Sequence, residues 1–228
     1  MIKALIFDFD GLILDTEGPI FRSWKELYQS YGGRLTPEIW SGYIGTVSNE
    51  YDHFEELEAQ IGRQVDQASL SPGRRRRELE LIAQEPVRPG VENLLREARQ
   101  AGLKIGLASS SSCAWVEGHL SRLGLIAYFD CLRARDDVSQ VKPDPDLYLS
   151  VLAELGVQAD EAIVIEDSPI GVTAAQRAGL YCVAVPNALT RLMPLDHADR
   201  QLATLEGVSL QDLIASPAEK SSWQDDSP

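Results

Sequence analysis

Cysteine is scarce in this chain of 228 residues, which has only Cys113, Cys131 and Cys182. The number is odd and no C-x-x-C pair occurs, so the sequence argues against a disulfide framework or a zinc site. Buried or incidental thiols in their reduced form fit better, and these are typical of the cytoplasm. Met1 also leads directly into an apolar segment followed by acids, unlike a signal peptide, so we expect a cytoplasmic protein.

Basic residues and long apolar runs are also few. The chain carries 21 Lys and Arg against 35 Asp and Glu, a formal net charge of −14, which argues against nucleic acid or an anionic membrane as a partner. A small phosphorylated molecule remains possible because the charge at a site can oppose the net charge. No apolar stretch approaches the roughly 20 residues that a membrane-spanning helix needs. With 44% hydrophobic residues, the chain can bury a substantial core.

Residues 16–85 show helical spacing without an intervening strand pattern. The first apolar stripe, at intervals of three and four, consists of Ile20, Trp24, Leu27, Tyr28 and Tyr31. A second helix is predicted to open at Thr36, a third to end at Gly62 and a fourth to span residues 71–84. The pattern predicts an inserted α-helical cap domain of about 70 residues.

The rest of the chain alternates helices with short apolar strands. Strands are predicted over residues 4–7, 103–108, 128–132, 162–165 and 181–185, with helices over 91–100, 114–123, 146–155 and 171–178. Such alternation is typical of an α/β fold with a Rossmann-like parallel sheet and helices on both faces. We therefore assign residues 1–15 and 86–215 to a catalytic core and 16–85 to the cap, and we expect 216–228 to form a frayed tail.

Polar side chains follow three of these strands. They are Asp8 and Asp10 after the first strand, Ser109 to Ser112 after the second, and Glu166 to Ser168 after the fourth. Lys142 precedes a predicted helix in the segment between the last two groups. Because the carboxyl ends of parallel strands lie along one edge of the sheet, we expect these groups to meet there.

The residue types suit phosphoryl transfer. Aspartate oxygens are typical Mg²⁺ ligands, while a serine hydroxyl, free backbone N–H groups and a lysine can hold phosphate oxygens. One aspartate would attack phosphorus, and its neighbour two residues on would act as acid and then base. Each feature alone has an ordinary alternative, as a solvated turn, a surface lysine or a helix cap. Their joint occurrence at strand ends favours a site.

Four ordered segments resemble the motifs of the haloacid dehalogenase superfamily, in its β-phosphoglucomutase-like and sugar-phosphatase-like branch with a helical cap. The segments are Asp8–Thr16, Leu107–Ser111, Lys142–Pro145 and Glu166–Gly171, and the similarity covers nearly the whole chain. The resemblance implies a phosphoric monoester hydrolase in which Asp8 becomes a phosphoaspartate and Asp10 is the general acid and base. It also implies that Ser109, Ser110 and Lys142 hold the phosphoryl group. Mg²⁺ would bind Asp8, Asp10 (through its backbone carbonyl) and Asp167, with Glu166 in support.

Departures from the family's mutase favour phosphatase chemistry. The mutase has a histidine shortly after the first motif, where this chain has Pro19 and Ile20, and its cap carries G-V-S-R where residues 45–49 here read G-T-V-S-N. We expect a Mg²⁺-dependent phosphatase acting on a small phosphorylated metabolite, with sugar phosphates the favoured class. A hexose phosphate mutase is the alternative, and a phosphate-binding module without catalysis is a third. The sequence leaves the substrate and the oligomeric state open.

The basic run Arg74 to Arg77 has two interpretations. On a helix these side chains point in different directions, so at most two can face a cleft. A solvated helix face is the simpler interpretation, and a cap group that grips substrate phosphate is the other. The three histidines show no metal-ligand spacing and are not expected to be catalytic.

Overall fold

Six parallel strands form one sheet in the computed structural model, which describes residues 1–41 and 52–215. The strands are β1 (Ala4–Phe7), β2 (Lys104–Ala108), β3 (Cys131–Arg133), β4 (Ala162–Glu166), β5 (Tyr181–Ala184) and β6 (Arg200–Gln201). Their order across the sheet is β3-β2-β1-β4-β5-β6. The chain therefore runs outward in one direction from β1 to β3 and in the other from β4 to β6, so the reversal of strand order lies at β1.

The described residues include nine α-helices. They are α1 (Glu17–Ser30), α2 (Pro37–Ser41), α3 (His53–Ile61), α4 (Gln67–Gln84), α5 (Val91–Gln100), α6 (Cys113–Leu123), α7 (Asp146–Leu155), α8 (Pro169–Arg177) and α9 (Leu210–Ile214). Helices α5, α6 and α9 contribute to the apolar cluster on one face of the sheet, and α7 and α8 contribute to the cluster on the other. The predicted α/β class, a Rossmann-like parallel sheet with helices on both faces, is confirmed. No helix in this part of the chain is both long and apolar enough to cross a bilayer.

Strand β1 shows why the sequence has an unbroken apolar run. All four of its residues are buried, with Leu5 and Phe7 in one apolar cluster and Ala4 and Ile6 in the other. Because successive side chains of a strand point to opposite faces, a strand covered on both faces must be apolar throughout. β1 therefore leads into Asp8 from the centre of the core.

Helices α1 to α4 share an apolar cluster of their own. Its buried members are Phe21, Trp24, Tyr28, Leu35, Trp40, Phe54, Leu57 and Leu189, all but the last from residues 16–85. The stripe predicted from Ile20 to Tyr31 lies on α1 and on Tyr31, its C-cap, and all five of its residues belong to this cluster or pack against it. The division into core and cap at residues 15 and 85 stays a prediction. The segment 45–49 and the tail 216–228 lie outside the described residues.

One predicted strand starts later than expected. Residues 126–128 form a turn of 3-10 helix, and β3 begins at Cys131 instead of residue 128. The carboxylate of Asp130 accepts from the backbone N–H of Ile105 at 2.8 Å, while the Asp130 N–H donates to the Ile105 carbonyl at 2.8 Å. The side chain of Asp130 thus takes a hydrogen bond that a strand carbonyl would otherwise accept. Helix α4 also begins earlier than predicted, because Asp66 caps it by accepting from Ser69 N at 3.2 Å.

Candidate active site

The register of the sheet brings together the polar residues that follow β1 and β4. Phe7 pairs with Leu107 of β2 on one side and with Ile165 of β4 on the other. One residue further along, at the carboxyl end of the strands, come Asp8 and Glu166. This is the edge at which open parallel sheets bind ligands, and the strand order reverses beside it.

Lys142 lies at the centre of this edge, and its side chain is only 3% exposed. Its ammonium group donates to Asp8 Oδ1 at 2.5 Å, to Glu166 Oε1 at 2.7 Å and to the carbonyl of Ala108 at 2.8 Å. Burial alone would lower the pKa of Lys142, but the two carboxylates outweigh it and raise the pKa above its usual value. The lysine is therefore a fixed positive charge beside Asp8.

Glu166 is fully buried, and both of its carboxylate oxygens accept hydrogen bonds. Besides Lys142, its Oε1 accepts from the Tyr148 hydroxyl at 2.6 Å, and its Oε2 accepts from Asp167 N at 3.0 Å and from the Ser168 hydroxyl at 3.3 Å. Helix α8 passes so close that a Cβ on Gly171 would overlap this carboxylate. Glu166 is thus placed to orient Lys142 and the turn that carries Asp167.

Three buried carboxyl groups offer oxygens that lie within 4.8 Å of one another, those of Asp8, Glu166 and Asp167. Burial and the neighbouring carboxylates raise the pKa of Asp167 well above its usual range. Burial likewise raises the pKa of Asp8 to about 8, although Lys142 opposes the shift. One lysine does not neutralise three acids, and an all-oxygen donor set suits a hard divalent cation. The residues present therefore fit the divalent metal that this kind of site would hold.

Asp167 is oriented by a residue that the sequence interpretation missed. Its Oδ2 accepts from the Asn187 side-chain amide at 2.8 Å and contacts the Thr190 hydroxyl at 3.5 Å. Gly11, at φ +86°, lies against the same oxygen, and a Cβ there would overlap it. Asn187 comes from the loop after β5, where the sequence shows no motif, so its role depends on the fold.

The side chain of Asp10 lies outside the group of three carboxylates. Its Oδ1 accepts from Trp115 Nε1 at 2.9 Å, and its Oδ2 accepts from the Ser111 hydroxyl at 2.7 Å and the Ser109 hydroxyl at 3.2 Å. The expected metal contact of Asp10 was through its backbone carbonyl, so the position of its side chain does not conflict with that expectation.

Ser109 and Ser110, which follow β2, differ in whether their hydroxyl groups have a hydrogen-bond partner. Ser109 is fully buried, and its hydroxyl is used by Asp10. The Ser110 hydroxyl oxygen is buried without a hydrogen-bond partner in the described part of the chain, although Ser110 lines the cleft. A buried hydroxyl without a partner is costly unless a ligand satisfies it. Of the two serines predicted to bind phosphate, Ser110 therefore has the free donor.

A cleft of about 440 Å³ opens above these residues. The sheet edge and the helices next to it contribute Asp8, Asp10, Ser110, Ser111, Ser112, Trp115, Arg135, Lys142, Asp167, Ser168, Ile170 and Thr190. Residues 16–85 contribute Thr16, Glu17, Ile20, Arg75 and Glu78. None of the three histidines lines this cleft, and their having no catalytic role stays a prediction.

The arginines of the basic run Arg74 to Arg77 on α4 have different surroundings. Arg74 lies with its guanidinium 4.4 Å from the centre of the Trp24 ring, and both Arg74 and Arg75 pair with the buried carboxylate of Glu78. Arg77 instead forms an ion pair with Glu26, with 2.8 Å between Arg77 Nε and Glu26 Oε2. Neither residue is among those that line the cleft. Arg75 is the member of the run that lines the cleft, so a fully solvated helix face is not what the structure shows.

Glu17 faces the cleft from the start of α1. Burial, with the nearby carboxylates of Asp10 and Asp15, raises its pKa to about 7. Glu17 directly follows Thr16, the last residue of the first motif segment. This position next to a motif is the sequence signal that could have identified Glu17 as a cleft residue. A carboxyl group on the substrate side of the cleft can bind hydroxyl groups in either protonation state.

The comparisons with known proteins agree with this geometry. The family model for haloacid dehalogenase-like hydrolases matches residues 5–185. YhcW of Bacillus subtilis, whose phosphatase designation is itself provisional, is 44% identical over 214 residues, covering 94% of this chain and 97% of that protein. The phosphorylated carbohydrates phosphatase of Thermotoga maritima is 33% identical over 181 residues, covering 78% and 82% of the two chains.

A solved structure extends the likeness to three dimensions. The crystal structure of CbbY from Rhodobacter sphaeroides in complex with phosphate has a TM-score of 0.71 and 30% identity, and covers 94% of this chain and 100% of that chain. The expectation of a phosphatase-type enzyme, a phosphoric monoester hydrolase, is confirmed at this level. Sequence, fold and site thus agree, and the chain belongs to the haloacid dehalogenase-like hydrolase family.

Proposed function

We propose that the protein is a Mg²⁺-dependent phosphatase that hydrolyses a phosphorylated carbohydrate through a phosphoaspartate on Asp8. The observation that carries the proposal is the buried arrangement in which Lys142 holds Asp8 while the Asp8, Glu166 and Asp167 oxygens lie within 4.8 Å of one another. A nucleophilic carboxylate, a fixed cation and a second set of carboxylate ligands meet at the floor of one cleft. Phosphoryl transfer through a phosphoaspartate uses these three parts.

The role of Mg²⁺ follows from the donor set. Asp8, Asp167 and the backbone carbonyl of Asp10 would hold the ion, which would neutralise the acids and the phosphate charge. Asn187 would keep Asp167 in place through its 2.8 Å hydrogen bond. Glu166 would serve chiefly to orient Lys142, because its own oxygens already accept from protein donors.

The first half of the reaction would transfer the phosphoryl group to Asp8. An Asp8 carboxylate oxygen attacks phosphorus, the bond from phosphorus to the sugar oxygen breaks, and Asp10 gives its proton to that oxygen. The free Ser110 hydroxyl holds a phosphoryl oxygen, and the positive charge of Lys142 attracts the phosphoryl group beside Asp8. Ser109 contributes indirectly, since its hydroxyl bonds Asp10.

The second half would return Asp8 to its starting state. Asp10, now ionised, takes a proton from water as the water oxygen attacks phosphorus. The bond between phosphorus and Asp8 breaks and inorganic phosphate leaves. The same carboxyl group therefore acts as acid and then base, and its proton balance closes over the cycle.

A phosphorylated carbohydrate is the substrate class that the site and its relatives support. The cleft presents Glu17, Arg75 and Glu78 opposite the sheet edge, which suits a polar substrate with several hydroxyl groups. The Thermotoga maritima relative is named for phosphorylated carbohydrates, and its similarity covers most of this chain. A cytoplasmic location, expected from the three thiols, remains part of the proposal.

The test is a phosphate-release screen over sugar phosphates, phosphoglycolate and nucleotides, with Mg²⁺ or with excess EDTA. Asp8→Asn should abolish turnover with every substrate and keep the circular dichroism spectrum. Full activity in EDTA or in Asp8→Asn would contradict the proposal.

The mutase alternative is tested by β-glucose 1-phosphate with and without glucose 1,6-bisphosphate. We expect inorganic phosphate as the product and no stimulation by the bisphosphate. Bisphosphate-dependent formation of glucose 6-phosphate, with little phosphate released, would replace the phosphatase by a mutase.

A further inference from the structure

The indole of Trp115 is a partner of Asp10 that the sequence motifs do not include. Trp115 is the third residue of α6, and its Nε1 donates to Asp10 Oδ1 at 2.9 Å. The ring lines the cleft and packs partly against the core of the sheet. Trp115 therefore touches the carboxyl group on which the proposed proton transfers depend.

The three donors around Asp10 differ in what they allow. The hydroxyls of Ser109 and Ser111 both reach Oδ2, and a hydroxyl can turn to donate or to accept. An indole N–H can only donate, so Oδ1 must remain an acceptor while the bond to Trp115 persists. The bond to Trp115 therefore fixes the orientation of the Asp10 carboxyl group, whereas the two hydroxyls can adapt to either role.

The indole is itself held from two sides. The His119 ring, one turn further along α6, meets it edge to face with the ring centres 4.3 Å apart. On α4, across the cleft, the Arg75 guanidinium lies 5.7 Å from the centre of the Trp115 ring. Arg75 is held in turn by its ion pair with the buried Glu78. The position of the N–H is therefore set by packing and charge and does not depend on the Asp10 bond alone.

We propose that Trp115 is a positioning residue for the general acid and base Asp10, whose carboxyl group it holds through the hydrogen bond to Oδ1. This inference rests on the proposed function, because it presupposes the role of Asp10. It adds a residue outside the four motifs, and it predicts that loss of the N–H impairs proton transfer to the leaving group.

The experiment uses the dependence of general acid catalysis on the leaving group. Trp115→Phe keeps an aromatic ring and removes the N–H. Its kcat/KM should fall tenfold or more with the sugar phosphate hydrolysed fastest in the screen, since the alkoxide must be protonated as it leaves. With p-nitrophenyl phosphate, whose leaving group is a stable anion, kcat/KM should stay within threefold. Inhibition by inorganic phosphate should also stay within threefold.

Trp24→Phe is the matched control, because it makes the same substitution in the apolar cluster of α1 to α4. It should leave the ratio of kcat/KM for the two substrates constant. Equal losses with both substrates in Trp115→Phe, or no loss with either, would overturn the inference. If Asp10→Asn hydrolysed the sugar phosphate at the normal rate, the proposed role of Asp10 would fail first. An inactive Asp10→Asn with equal losses in Trp115→Phe would refute only the inference about Trp115.

A second measurement does not require the Trp115 variant to fold. The chain has four tryptophans, so ¹⁵N labelling of the indoles gives four candidate side-chain N–H signals. Asp10→Ala removes the acceptor, and the proton signal of one indole should move strongly upfield, more than any other. Four unchanged signals would show that no indole depends on Asp10 and would overturn the inference.

Discussion

Lys142 Nζ donates to Glu166 Oε1 at 2.7 Å, and the two side chains are 3% and 0% exposed. Each charge is stabilised in the core by the other, since an unpaired buried charge costs far more than an exposed one. Asp8, the proposed nucleophile, bonds the same ammonium group at 2.5 Å. The pair therefore links the stability of the core to the position of the reacting carboxylate.

The first prediction concerns this ion pair. Glu166→Gln should lower the free energy of unfolding by about 2 kcal/mol, because the buried Lys142 and Tyr148 donors lose a charged acceptor while Asp8 still pairs with the lysine. The control is Glu154→Gln, because Glu154 pairs with Arg133 at 2.9 Å while 56% exposed and should change stability by less than about 1 kcal/mol. Urea denaturation monitored by circular dichroism measures both. Equal, small losses in the two variants would contradict the importance of burial.

The second prediction concerns the glycine behind Glu166. Gly171→Ala should displace the Glu166 carboxylate, because the added Cβ would overlap it. We expect a loss of about 2 kcal/mol in stability, within the range for overpacking, and a fall in kcat as Lys142 loses its orientation.

The matched control is Gly118→Ala, in the middle of α6, where a Cβ meets nothing within 4 Å. Alanine in a helix interior should stabilise the protein by about 0.5 to 1 kcal/mol there and leave kcat unchanged. Thermal melts and steady-state kinetics distinguish the two. A stabilised, fully active Gly171→Ala would refute the proposed function of this contact.

The sequence was sufficient for the parts of the site that lie at strand ends. Asp8 and Glu166 could be placed because a buried strand must be apolar and its carboxyl end is fixed by the direction of the sheet. Asp167 was predicted at the end of the fourth strand and Lys142 just before a helix, and the resemblance to known motifs added their roles. These residues are close together in the structure, as expected.

Other residues in and around the cleft could not be predicted from local patterns. The Arg75 guanidinium lies 5.7 Å from the centre of the Trp115 ring, and the two residues come from helices far apart in sequence, so their contact depends on the position of α4 relative to α6. Asn187 lies in a loop without regular spacing, so only the fold brings it to Asp167. Ser109 and Ser110 are adjacent, and which hydroxyl is left free was decided by the side chain of Asp10 nearby.

The third prediction concerns metal binding. Millimolar Mg²⁺ should raise the thermal midpoint of the metal-free protein, because a ligand that binds only the folded state stabilises it by RT ln(1 + [L]/Kd). Asp167→Asn should lose most of this increase, since it removes a buried carboxylate from the group of three. Asp160→Asn, at an exposed position, should retain it. An equal increase in all three proteins would place the metal elsewhere.

The fourth prediction concerns Glu17, whose pKa is raised to about 7 chiefly by burial. An acid with a raised pKa binds more protons in the folded state than in the unfolded state between about pH 4.5 and 7. The free energy of unfolding should therefore decline across this range and level off above it. Glu17→Gln stays neutral at every pH and should lack this decline.

The variant should therefore become more stable than the wild type as the pH rises from 4.5 to 7, by about 1 to 2 kcal/mol once solvent in the open cleft is considered. Urea denaturation in EDTA at intervals of half a pH unit measures the difference while keeping metal ions away from the neighbouring acids. Glu206→Gln makes the same change at an exposed loop position and is the control. A difference between Glu17→Gln and wild type that does not vary from pH 4.5 to 7 would mean that Glu17 ionises freely in the folded protein. The cleft would then be more hydrated around α1 than its packing indicates.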